Sequence, residues 1–413
     1  MDGSNARAGE YELGYIGPFR SPETGAAEFA GDDATACPLL SVVPRHLVRK
    51  LLTLSGLALL ACGGSGPRGV VHFGAAGPWN EAYGAMNRRG MELAYDQIKA
   101  RTDYDRHAVE IDWQNDQADG QKATTIARHF VTDQSVVAVI GHVNSGTEVA
   151  AAKVYDAGHL VSVATTATSP ALTGISPWVF RVISSDSTNG MAMARFAGTQ
   201  LGKRRAAILY ENNAYGRGLA DAFRRNFAGT VVAFDPIGEG AQNFEPYVSY
   251  LKTVNPDLVF VPGTDASGLS FLREYRRQQM SATLLGGDGW TGLSADTALA
   301  EGIYVGAPFS AENPDPAVQK FVQEFRAKFG LTPDGNAALG YDATNLLYFA
   351  LTTVGPDRAK IRDFLAGLTE STAWKGVTGN IYFGTNGDPV GKSVVMTRIH
   401  NGALQVVGGG GTP

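Results

Sequence analysis

The chain has 413 residues, with 35 lysines and arginines against 40 aspartates and glutamates and a formal net charge of −5. Five basic and seven acidic residues precede Cys62, leaving 30 and 33 beyond it, a near balance with no basic block, which argues against nucleic acid as a partner. Cys37 and Cys62 are the two cysteines, so the part of the chain after position 62 has no disulfide and no thiol chemistry.

Residues 1–42 hold Gly, Asp, Glu, Ser and Pro without helical or strand period, and they read as neither a targeting segment nor a domain. An over-extended start is expected, with Val43 as initiator; a disordered leader is the alternative. Residues 43–61 then form a signal peptide: a basic lead, Arg45-His46-Leu47-Val48-Arg49-Lys50, an apolar core from Leu51 to Ala61, and a small residue before the cleavage point. The core is too short to cross about 30 Å of hydrocarbon. The sequence Leu59-Leu60-Ala61-Cys62 resembles a bacterial lipobox, which implies acylation of the Cys62 thiol and work outside the cytoplasmic membrane. Residues 62–69, rich in glycine, read as a tether.

Beyond the tether, strand and helix signals alternate. Val70–Gly74 is a short apolar strand, and Met86, Met91, Leu93, Ala94 and Ile98 mark a helix. Strand His107–Trp113, helix Lys122–Thr132, the continuous apolar strand Val136–Gly141, helix Thr147–Ala157 and strands Leu160–Ala164 and Trp178–Val182 follow. The rhythm repeats with helix Met191–Leu201, strand Arg205–Tyr210, helix Gly216–Asn226, strand Val231–Asp235, helix Phe244–Thr253 and strand Asp257–Pro262. Helix Gly268–Gln279 and strands Thr283–Gly286 and Ile303–Ala307 come next, then helices Pro316–Phe329 and Ala337–Val354 and hairpin-like strands Gly379–Phe383 and Ser393–His400. Such βα alternation means an α/β fold, with parallel sheets carrying helices on both faces, in two lobes of similar make.

Matches in order across more than 300 residues carry a family resemblance. They are Gly77-Pro78 with Tyr83-Gly84; Ile140-Gly141-His142-Val143-Asn144-Ser145; Ala167-Thr168-Ser169-Pro170-Ala171-Leu172-Thr173; and Phe180-Arg181. Tyr215-Gly216-Arg217-Gly218-Leu219-Ala220, Asn243-Phe244 and Leu285-Gly286-Gly287-Asp288-Gly289 complete the set. The region from Val70 to Val406 thus resembles the type I periplasmic binding proteins, in particular the branched-chain amino-acid receptors of ABC importers. The resemblance implies two Rossmann-like lobes joined by a three-segment hinge, one lobe from 69–186 and 311–372, the other from 187–310 and 373–406. It also implies a monomer that delivers its ligand to a permease and ATPase, lipid-anchored on the periplasmic or extracellular face of the membrane.

Strand-to-helix loops at the carboxyl ends of parallel strands are where such folds hold ligands. Ser145, at a helix start, has a hydroxyl and free N–H groups suited to a carboxylate; it also suits a plain N-cap. The resemblance implies that Ser145 with Thr166 and Thr168 binds the α-carboxylate and helps hold the ammonium, although these threonines also fit a turn before Pro170. It implies an ammonium partner in Asp288, and cleft roles for Tyr83 and Tyr215, either of which would serve as a loop packing residue. Trp79, Asn144, Thr264, Asp265 and Trp290 are further expected lining positions; a polar pair at 264–265 puts a preference for leucine or valine in doubt.

Catalytic patterns are scarce. The seven histidines show no H-x-x-x-H spacing, and neither a G-x-S-x-G elbow nor a phosphate loop is present. The Gly287–Gly292 match to G-x-G-x-x-G puts an acid where a pyrophosphate would sit. His142 near Ser145 is the one nucleophile-like pairing, and it is expected to pack or bond backbone instead. The expectation is a binding protein, not an enzyme, without cofactor or metal. A sensory module of the same fold, with an amide, urea or aromatic acid as ligand, is the alternative.

Overall fold

The computed structural model describes residues 70–407. The expected leader, signal peptide, Cys62 and tether lie outside the described residues.

The first sheet has strands β1 (Val71–Gly77), β2 (Val109–Asn115), β3 (Val136–Gly141), β4 (Ser162–Ala164) and β5 (Val179–Arg181), all parallel, in the order β2-β1-β3-β4-β5. Helices α1 (Ala82–Lys99), α2 (Gly120–Thr132) and α3 (Ser145–Ala157) connect them. After α4 (Asp186–Arg195) the pattern repeats: β6 (Arg205–Glu211), α5 (Ala214–Asn226), β7 (Thr230–Ile237), α6 (Glu245–Val254) and β8 (Leu258–Val261). Next come α7 (Asp265–Arg277), β9 (Thr283–Gly286), the short α8 (Thr297–Ala300) and β10 (Tyr304–Ala307). Read from β7, the parallel part of this sheet runs β7-β6-β8-β9-β10, the same order as the first. Both are doubly wound sheets whose strand order reverses beside the first strand of each.

Alternation along the strands sends side chains to opposite helical layers. In β6, Ala206 and Ile208 join the core under α4 and α5, whereas Ala207 and Leu209 join the core under α6 and α7. In β8, Leu258 and Phe260 face the first layer and Val259 and Val261 the second. Every one is fully buried, which is why these strands read as continuous apolar runs and not as alternating ones.

The chain returns to the first sheet with α9 (Pro316–Phe329), α10 (Gly335–Val354) and α11 (Arg358–Ala366). Helix α10 is apolar nearly all round because it is wedged between α1 and the sheet core, with Leu339, Leu346, Leu347 and Leu351 buried there. Its crossing with α1 is glycine-mediated: a Cβ on Gly90 would lie 1.9 Å from the Ala337 carbonyl oxygen, and one on Gly340 2.3 Å from that of Asn87.

A hairpin of β11 (Trp374–Gly376) and β12 (Gly379–Ile381) follows, then β13 (Val395–His400) and β14 (Ala403–Val406), which extend the second sheet antiparallel beside β10. The hairpin corrects the sequence-based boundary at 373. It packs on the first lobe, with Ile381 and Phe383 in that core and the Asp342 carboxylate accepting from the N–H groups of Val377 (2.9 Å) and Thr378 (2.8 Å). Three crossings join the lobes, between Ile183 and Met193, between Ala307 and Phe309, and between Phe383 and Val394. Near the third, the Asp388 carboxylate accepts from the buried Arg181 guanidinium at 2.6 Å. Among the described residues no helix is long and apolar enough to cross a membrane.

Candidate functional site

The two reversal points face one another across a cleft. One wall is built from the loops after β1, β3 and β4, and contributes Tyr83, Asn144, Ser145 and Thr166. The other is built from loops after β6, β7, β8 and β9, and contributes Asn213, Tyr215, Glu239, Thr264 and Asp288. Asn336, in the first turn of α10, completes it.

Helix α3 starts in the cleft wall, and its N-cap, Asn144, makes no side-chain cap bond. Gly146 and Thr147, in its first turn, line the cleft, and their N–H groups have no capping side-chain oxygen. Ser145 does not cap either. Its Oγ accepts from the backbone N–H groups of Thr168 and Ser169, each at 3.1 Å, which fastens the loop after β4 to α3. Because its lone pairs are occupied, the hydroxyl proton is what this serine offers the cleft. Thr166 does the reverse. Its hydroxyl donates to the Val143 carbonyl at 2.8 Å, so it presents an acceptor. Asn144 donates to the Tyr83 hydroxyl at 2.9 Å, and its buried Oδ1 has no partner among the described residues.

Across the cleft, the Tyr215 hydroxyl donates to Asp288 Oδ1 at 3.0 Å and accepts from the Gly289 N–H at 3.1 Å. Burial pushes the Asp288 carboxyl up to about 6, against the Tyr215 hydroxyl and a backbone N–H, which hold it down. Behind it Asp186, in the first turn of α4, is fully buried with neither carboxylate oxygen bonded among the described residues. Burial first, and then the charge of Asp288, push Asp186 well above the usual carboxylate range. Burial likewise raises the tyrosine hydroxyls of Tyr83 and Tyr215.

Of the expected positions, Tyr83, Asn144, Ser145, Thr166, Tyr215, Thr264 and Asp288 come together at the cleft. Thr168 contributes its backbone N–H to Ser145, while its buried hydroxyl lies outside the lining. Trp290 is a core residue: it is fully buried between Gly268 and Gly286, where a Cβ would come within 2.6 and 2.3 Å of its ring atoms. Trp79 packs edge-on against Trp113 at 5.9 Å, away from the lining. Asp265 sits at the start of α7 over Gly292 with its carboxyl pushed up to about 8 by burial and by Asp334, also outside the lining. His142 is engaged by Asp116 Oδ2 (2.7 Å) and the Tyr155 hydroxyl (3.0 Å), so its ring bonds away from Ser145.

Asn213, Glu239 and Asn336 were not anticipated. Asn213 carried a usable signal, since it follows β6 at the reversal point and caps α5 by accepting from the Gly216 N–H at 2.9 Å. Glu239 lies in a loop after a strand end, and Asn336 carries no local mark.

A two-lobed α/β clamp with its polar groups gathered at facing strand ends defines a ligand-binding protein. A family model described as periplasmic binding protein matches residues 74–403, and the chain belongs to that family. It is 26% identical over 370 residues to the Leu/Ile/Val-binding protein homolog 1 of Brucella abortus, covering 86% of this chain and 98% of that one. It is 28% identical over 316 residues to the leucine-, isoleucine-, valine-, threonine- and alanine-binding protein of Pseudomonas aeruginosa, covering 74% and 83%. The branched-chain amino acid transporter substrate-binding protein of Streptococcus pneumoniae, solved in complex with isoleucine, superposes with a TM-score of 0.76 at 25% identity, covering 82% of this chain and 99% of that one.

Proposed function

We propose that this chain captures an amino acid in the interlobe cleft and presents the closed, loaded form to an ABC importer. The observation that carries the reading is the division of chemistry between the walls. The α3 wall offers donors, the Ser145 hydroxyl and the N–H groups of Gly146 and Thr147. The opposite wall offers the Asp288 carboxylate, one oxygen of which is held by Tyr215. A zwitterion needs both, because each of its charges is costly to bury unpaired. Its carboxylate goes to the donors and its ammonium to Asp288, with Thr166 Oγ1 and Asn144 Oδ1 as further acceptors. Named relatives that bind Leu, Ile and Val support an amino-acid ligand. Export and anchoring through an acylated Cys62 fit a receptor that works at the membrane face.

Titration calorimetry with the twenty L-amino acids tests the reading, with 4-methylpentanoate and 3-methylbutylamine as analogues lacking the ammonium or the carboxylate. At least one amino acid binds, and both analogues bind at least a hundredfold more weakly than it does. Binding of the analogues in place of amino acids overturns it. Loss of palmitate incorporation in a Cys62→Ser variant checks the anchor.

A further inference from the structure

Asp288 is not the only carboxylate lining the cleft. Glu239, an exposed residue in the loop after β7, lines it as well, and among the described residues no lysine, arginine or histidine lines the same space. The neighbouring Glu211 is buried but satisfied within its own lobe: its carboxylate accepts from the Thr264 N–H (3.1 Å), the Thr264 hydroxyl (2.8 Å) and the Ser267 hydroxyl (2.6 Å). Glu239 has one long bond, from Asn213 Nδ2 at 3.3 Å, and that same amide also donates to Glu211 at 3.1 Å. Glu239 is thus an exposed carboxylate at the edge of the cleft with little within the protein to hold it. Partial desolvation by the cleft walls, and then the charge of Glu211, push its carboxyl up from the ordinary value.

Most of the polar groups lining the cleft with it offer acceptors, and none offers a positive charge. The Thr264 hydroxyl proton is committed to Glu211, so its oxygen lone pairs are what remain. Asn336 donates one amide N–H to Asp334 at 3.1 Å, which leaves its second N–H and its carbonyl oxygen. Asn213 has both ends engaged, its oxygen by the Gly216 N–H and its nitrogen by the two glutamates. The side-chain donors left uncommitted among these groups are neutral ones, the Tyr83 hydroxyl and the second amide N–H of Asn336. A neutral aliphatic side chain would gain nothing from the Glu239 charge. An amide could meet these neutral groups but would bring no charge to balance Glu239. An acid would be repelled by two carboxylates. An ammonium or guanidinium group has three or five donors and no acceptor, and supplies the missing charge.

We propose that the ligand is an amino acid with a cationic side chain, of the lysine or arginine kind, and that Glu239 is the residue that selects it. This rests on the reading of the cleft as an amino-acid site. Titration calorimetry on the full chain with L-arginine, L-lysine, L-glutamine and L-leucine at matched ionic strength tests it. Arginine or lysine binds at least tenfold more tightly than glutamine and leucine. In Glu239→Gln, shown by circular dichroism to melt as a folded protein, the ratio of cationic to amide affinity falls at least tenfold. Leucine or glutamine binding as tightly as the cationic pair, or a Glu239→Gln variant that keeps the preference, overturns this inference and leaves the proposed function standing. Failure of all four, with every other amino acid, removes both.

Discussion

Replacing Asp288 by alanine isolates the charge on which the proposed recognition turns. In the unliganded protein the Asp288 carboxyl is raised to about 6 by burial, while the Tyr215 hydroxyl holds one of its oxygens at 3.0 Å. It is therefore largely ionised at pH 7 and ready to receive an ammonium. The variant leaves the ligand ammonium without its carboxylate partner, and stripping one partner from a buried charge pair costs about 2–5 kcal/mol. That corresponds to an affinity loss of about 30-fold to a few thousandfold. Titration calorimetry with the tightest-binding amino acid measures it directly. The pH dependence has a definite sign. A bound ammonium favours the ionised carboxylate, so below about pH 6 the ligand must displace a proton, and affinity falls with falling pH by up to about tenfold per unit. This decline is steeper in the native protein than in Asp288→Ala. An Asp288→Ala protein that stays folded and binds within threefold of the native affinity refutes the assignment.

Ser145→Ala removes the acceptor shared by the Thr168 and Ser169 N–H groups along with the hydroxyl proton offered to the cleft; it lowers amino-acid affinity at least tenfold and lowers unfolding free energy by about 1–3 kcal/mol, read by urea melts. Trp290→Ala empties a fully buried site in the second lobe and lowers unfolding free energy by about 3–5 kcal/mol, seen as a shift in denaturant midpoint; a loss of affinity without that shift would restore it to the cleft. Gly90→Ala drives a methyl into the Ala337 carbonyl at the α1–α10 crossing and destabilises by about 1–3 kcal/mol or more, whereas alanine at Gly146, where no atom lies within 4 Å of the added Cβ, leaves the melt within about 0.5 kcal/mol.

Sheet and helix order were legible because buried parallel strands read as continuous apolar runs. Val136–Gly141 and Leu258–Val261 are buried at every position, and their place in the sheets follows from the βα rhythm around them. Much of the site was legible for the same reason: Ser145, Tyr215 and Asp288 follow strand ends directly. The misreadings have physical causes. Trp290 sits beside cleft residues in sequence, yet the bare backbones of Gly268 and Gly286 open a slot for its ring inside the core. Thr168 acts through its peptide N–H, which no residue type announces. The donor or acceptor character of Thr166 and Thr264 depends on where each hydroxyl proton goes, to Val143 in one case and to Glu211 in the other. Glu239 and Asn336 reach the cleft from elements nearly 100 residues apart, so only the tertiary fold brings them together.

The two parallel sheets run in one and the same strand order, so the loops meeting at the cleft are equivalent loops that carry opposite chemistry. In the function proposed above, a molecule bearing a carboxylate alone, or an amine alone, grips one wall and leaves the other wetted. Held equally by the open and closed forms, it shifts no population between them, however tightly it is held. The clamp then behaves as a coincidence detector: an importer that reads the closed form ignores half-matching metabolites, even at concentrations that fill one wall.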